Sequence, residues 1–132
     1  MKYILMMHTP HGTGEYQHEN WAPGAFEAHM AFMLQLNREL TQSGELVGVE
    51  ALTAPGAARI VRVGRNGAPV VTDGPFAESK EFLAGYWIVD VERPERAFEI
   101  AARASSAPGP GGEPLVMPIE VRQVMDARLA DV

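Results

Sequence analysis

Four histidines and 17 acidic residues are the main candidate proton carriers of this 132-residue chain, which contains no cysteine. Without cysteine there are no disulfides, thiol nucleophiles, Fe–S clusters or cysteine-ligated zinc. One histidine and one acid stand in suggestive local patterns. His29 falls in a stretch of helical periodicity, and Asp73 opens the motif Asp73-Gly74-Pro75-Phe76. A carboxylate that holds one imidazole nitrogen orients the ring and raises its basicity, and imidazole moves protons near neutral pH. Arg62 and Arg122 fall in alternating segments, on faces that otherwise read as apolar. A guanidinium there could pair with Asp73 or Glu78, or hold a substrate carboxylate through two hydrogen bonds. Glu78 and Lys80 follow Phe76 in a polar run that reads as the rim of the same cleft. Each residue also has a plain reading. Asp73 can accept backbone N–H groups in a fixed turn. His29 can be a half-buried helix residue, and the arginines can be edge residues in water.

His8, His11 and His18 lie within eleven residues, with Glu15 and Glu19 nearby. Such a set can ligate zinc or another transition metal. The spacing completes no metal motif, and the segment reads as a polar loop, with no metal assigned. Gly12-Thr13-Gly14 lacks the later glycines of a dinucleotide fingerprint and the lysine of a phosphate loop. No serine has a nucleophile-elbow setting, which argues against a serine triad. No organic cofactor is indicated.

The elements that must position these residues follow from periodicity and from Gly and Pro. Residues 2–8 form a short apolar run, expected as a buried strand, and residues 9–24 read as a loop. From Phe26, apolar positions recur through Met30, Met33 and Leu40 with helical spacing, Leu34 and Leu36 widen the stripe, and Gly44 ends the helix. Residues 46–52 suggest a second strand. Residues 58–63 and 69–72 flank Arg65-Asn66-Gly67, whose Asn-Gly pair suggests a type I′ hairpin. Phe82 to Val91 is the strongest strand. Phe82, Ala84, Tyr86 and Ile88 share one face, and Leu83, Gly85, Trp87, Val89 and Val91 the other. Both faces are apolar, so both should be covered. Tyr86 and Trp87 read as packing residues. Pro94 opens a second helix with a stripe of Ala97, Phe98, Ala101 and Ala104. Residues 105–114, rich in Gly and Pro, are expected as a mobile loop. A last strand closes on Arg122, Gln123 and Val124.

The order β-α-β, hairpin, β-α-β is the ferredoxin-like split β-α-β layout, an α+β fold with a hairpin insertion. Two helices cover one sheet face. A second copy is the simplest cover for the other, giving a homodimer.

Length and charge set outer limits. The chain suits one domain spanning residues 1–132. A net charge of −6 argues against general nucleic-acid binding, which needs a basic patch. The N-terminal apolar run is too short for a signal peptide, and no window approaches a membrane span. A soluble cytoplasmic protein is expected.

The stretch from Val71 to Trp87, with Asp73-Gly74-Pro75-Phe76 at its head, resembles the signature of the YCII-related family, in its Asp-Gly-Pro-Phe (DGPF) branch. The resemblance extends to the N-terminal Met1-Lys2-Tyr3, the helix carrying His29, Gly44-Glu45-Leu46, the strand 58–63 and the closing Glu120-Val121-Arg122. It implies a dimeric α/β-barrel of ferredoxin-like subunits with a cleft holding a His-Asp pair. It also implies a loose association with transcription initiation. The leading expectation is therefore a small enzyme-like dimer of isomerase or lyase type. Its catalytic pair would be His29 and Asp73, and Arg62, Arg122, Glu78 and Lys80 would contact a small-molecule substrate. The alternatives are a non-catalytic ligand-binding or regulatory module linked to transcription, and a purely structural domain.

Overall fold

The computed structural model describes residues 1–10, 20–76 and 81–125. Six strands and two long helices follow in order. They are β1 (Lys2–Pro10), α1 (Ala25–Gln42), β2 (Leu46–Ala51), β3 (Arg59–Val63), β4 (Pro69–Asp73), β5 (Glu81–Asp90), α2 (Pro94–Ser105) and β6 (Ile119–Gln123). Strands β2, β5, β1 and β6 form an antiparallel sheet in that order, and β3 pairs with β4 in a separate two-stranded sheet. The chain is thus α+β, with a sheet order compatible with the ferredoxin-like fold and with the hairpin inserted between its halves. No helix is long and apolar enough to cross a membrane among the described residues.

Strand alternation decides which side chains meet the helices. Val49, Trp87, Leu5 and Val121 stand opposite one another across the four strands, and Leu46, Val89 and Tyr3 form the next row. Leu36 and Leu40 of α1 and Ile100 of α2 close over these rows, and all three are almost completely buried. Burying each such side chain contributes about 1.5–3 kcal/mol. The buried Trp87 keeps a polar partner, because its indole N–H donates to Asn37 Oδ1 at 2.8 Å. Gly85 is required where β5 meets β2. A Cβ there would lie 2.9 Å from the Glu50 carbonyl oxygen.

Both helical stripes sit differently from their sequence expectation. In α1 the inward line is Met33, Leu36 and Leu40, with Phe32 beside it, while Met30 and Leu34 face outward. In α2, Ile100 is buried with the alanines and Phe98 is exposed. Each stripe holds more apolar residues than one face can present, so packing against the sheet selects among them.

Two loops also differ. The β3–β4 connection is a hairpin but not type I′. That turn needs positive φ at two consecutive residues, and only Gly67 adopts it, at φ 85°. Asn66 instead accepts the Ala68 N–H on its side-chain oxygen at 3.0 Å. The Gly- and Pro-rich stretch expected as a mobile loop is a closed turn. Pro108 bridges to Pro114, and the Gly109 N–H donates to the Glu113 carbonyl at 2.7 Å. Its end is tied back where the Leu115 N–H meets the Ala107 carbonyl at 2.8 Å.

Candidate functional site

The sheet face away from the helices carries the candidate site. Ile4, Met6, Tyr86 and Ile88 run through its middle, half-buried, with Glu120 opposite Met6 and Arg122 opposite Ile4. His8 follows Met6 by two residues, so it points to the same face and is the diagonal neighbour of Glu120. A bulge between Met7 and His8 interrupts the β1–β5 register at this point. The imidazole Nε2 and Glu120 Oε1 are 2.9 Å apart, with the histidine side chain 27% exposed. An ionised carboxylate only accepts, so Nε2–H donates. In the neutral ring the lone pair then lies on Nδ1. The carboxylate fixes the tautomer, and the second nitrogen is left as a base.

This pair lines a cavity of about 520 Å³. Glu81, at the start of β5, also lines it, and the segment 115–119 forms an apolar wall. Within that wall Val116 adopts φ 52°. A β-branched residue in the left-handed region is a true outlier, costing on the order of 1–3 kcal/mol. Such strain concentrates at functional sites. No group of three or more His, Asp or Glu side chains suited to a metal occurs among the described residues.

His29 does a different job. Its Nδ1 is 2.9 Å from the Pro108 carbonyl, which can only accept, so Nδ1–H donates. Trp21 meets the ring edge-on, with centroids 5.4 Å apart. Pro108 begins the closed turn that leads into the cleft wall, so His29 ties α1 to that wall. A second tie runs from the Ala22 N–H to the Pro110 carbonyl at 2.9 Å. Removing the imidazole in His29→Ala should cost about 0.5–1.5 kcal/mol of local stability. The expected result is severalfold faster native-state amide exchange at Gly109, Gly112 and Leu115. Unchanged exchange there would show that the tie holds nothing.

The expected His29–Asp73 pair is not formed. Asp73 ends β4, its side chain is 95% exposed, and its ion-pair partner is Arg59, with Nε and Oδ1 3.5 Å apart. The reason is topological. Asp73 belongs to the inserted hairpin, whereas His29 is on a helix packed over the main sheet and has a carbonyl as its partner. His29 instead borders a smaller crevice of about 260 Å³ with Met30, Met33, Glu50 and Tyr86. Arg62 is exposed on β3 opposite Val70, and Arg122 is exposed on β6, and neither lines the His8–Glu120 cavity. Glu78, Lys80, His11 and His18 lie outside the described residues, as do Glu15 and Glu19. Sequence reasoning weighed His8 only as a metal ligand and Glu120 only as part of a closing motif. The available signal was that both alternate onto the sheet face opposite the apolar core positions.

Comparison with known proteins bears on most of the chain. The model of the YCII-related domain matches residues 1–112. That stretch includes His8 and ends before β6, so Glu120 lies beyond it. An uncharacterised protein of Rhizobium meliloti (strain 1021) is 31% identical over 99 residues, which span 75% of this chain and 79% of that protein.

Proposed function

The chain belongs to the YCII-related family, and from that premise we propose that it is a small enzyme-like protein that moves a proton on a bound small molecule. His8 is the proton carrier and Glu120 the group that orients it. The observation that carries this reading is the 2.9 Å contact between Nε2 and Oε1 of two residues that line a cavity. A base must sit within reach of its substrate and be held in the right tautomer, and this pair meets the second condition before any ligand arrives.

The working unit is a homodimer, formed through the open sheet face into an α/β-barrel. The half-buried Ile4, Met6, Tyr86 and Ile88 support this, because a sheet face of that composition favours cover. The charges around it have both signs, with Arg122 beside Glu120 on β6, which suits a surface meeting its own copy. The Asp73-Gly74-Pro75-Phe76 turn supports a place in the DGPF branch.

The test is carbon-bound deuterium exchange. The protein is incubated in D2O with small enolisable ketones and keto acids, and loss of the α-proton signal is followed by NMR. Exchange above the buffer rate is expected, falling at least tenfold in His8→Ala and in Glu120→Gln, within the usual range for a positioned base. Thermal melts show whether these variants remain folded. A rate independent of His8, or one that depends on Asp73 instead, overturns the reading.

A further inference from the structure

We infer that the His8–Glu120 cleft selects neutral or cationic ketones with an apolar body and rejects carboxylates and phosphate esters. This rests on the proton-transfer reading above and adds its substrate class. Three ionisable side chains line the cavity, namely His8, Glu81 and Glu120, and no lysine or arginine does so among the described residues. An anionic ligand would meet no lysine or arginine there among the described residues, and it would face two carboxylates. The remaining lining is apolar, with Leu115, Met117 and Ile119 as its larger members. The volume of about 520 Å³ falls in the usual range of small-molecule sites. The outlying backbone of Val116 belongs to the same wall, so the fold maintains a strained segment where the ligand would lie.

The step needs no co-reactant. Nδ1 of His8 takes a proton from the carbon beside the carbonyl. The C–H pair becomes the carbon–carbon π bond of the enolate, and the carbonyl π pair moves to oxygen. The imidazolium stays hydrogen-bonded to Glu120. It returns the proton to oxygen, giving the enol, or, once its N–H has exchanged with solvent deuterium, gives a deuteron to the carbon, which is the exchange observed.

A matched set of probes differing in charge tests the selectivity: cyclohexanone, butanone and 2-oxobutanoate, each followed in D2O for the wild-type protein, His8→Ala and Glu81→Lys. Exchange of the two ketones is expected to run at least tenfold faster than that of 2-oxobutanoate, after correction for their buffer rates. In Glu81→Lys the ratio of keto-acid to ketone rate should rise at least tenfold, because a cation replaces one of the two acids. Exchange that needs His8 but favours 2-oxobutanoate overturns the substrate class and leaves the site standing. Exchange that favours ketones but whose ratio does not respond to Glu81→Lys also overturns the electrostatic argument. Exchange that does not need His8 with any probe removes both the class and the site.

Discussion

Trp87→Ala should lower stability by about 3–5 kcal/mol, the usual range for deleting a large buried aromatic. Trp87 is 3% exposed and stands at the centre of the sheet, between Val49 and Leu5. Its removal opens a cavity under both helices and leaves Asn37 without its indole donor. A domain of this kind has a total stability of only about 5–15 kcal/mol, so the variant should lie near the folding threshold. Urea denaturation measures the loss, with a fall in melting temperature of roughly 10–20 °C expected alongside. Trp87→Phe separates the two contributions. It keeps most of the apolar area and loses the N–H, and should cost about 1–2 kcal/mol. A cost below about 1 kcal/mol for the alanine variant would mean that the sheet centre is not the stabilising core.

Arg96→Ala should cost about 1.5–3 kcal/mol, the range for hydrogen bonds to a charged group. Arg96 on α2 grips Glu45, just before β2, with two donors, Nε to Oε2 at 2.8 Å and Nη2 to Oε1 at 2.9 Å. Ser43 adds a hydroxyl donor to Oε1 at 2.7 Å. Parallel bonds of this kind are the strong class of ion pair, and Glu45 is only 18% exposed. The Arg96 hydrogen bond, helped by Ser43, outweighs the desolvation of Glu45 and holds its carboxyl at about 2, against an ordinary 4.5. A folded-state value below the unfolded one stabilises the fold above the unfolded value. That stabilisation is therefore complete above about pH 4.5 and is lost as pH falls toward about 2. Denaturant midpoints of the wild type should fall across that window, and those of Glu45→Gln should fall less. Parallel pH profiles for the two proteins would show that this pair contributes nothing to acid stability.

Much of the fold was legible because its signals are local. The apolar run at the N-terminus, the two-faced strand ending in Val89-Asp90-Val91 and the Pro-opened second helix each need only their own residues to be recognised. The Asn66-Gly67 pair marked the hairpin correctly, while its turn type depended on backbone angles that only Gly67 supplied. Helix faces were harder. Met30 and Met33 fit the same periodic stripe, and only the position of the sheet turns Met33 inward and leaves Met30 exposed.

The candidate site shows the same division more sharply. Sequence by itself settled the residue types: no thiol and a small set of histidines. It also carried the family resemblance. It could not say that β1 and β6 are neighbours, and so could not bring together two residues 112 positions apart. It paired His29 with Asp73 because the family resemblance implies a His-Asp cleft, and in the structure Asp73 stands on the inserted hairpin with Arg59 as its partner while His29 meets the Pro108 carbonyl. The physical reason is that periodicity records which way a side chain points within its own element. Which elements lie side by side is decided by burial of the apolar faces, and a proton-transfer pair exists only where that burial brings two polar residues to the same end of neighbouring strands.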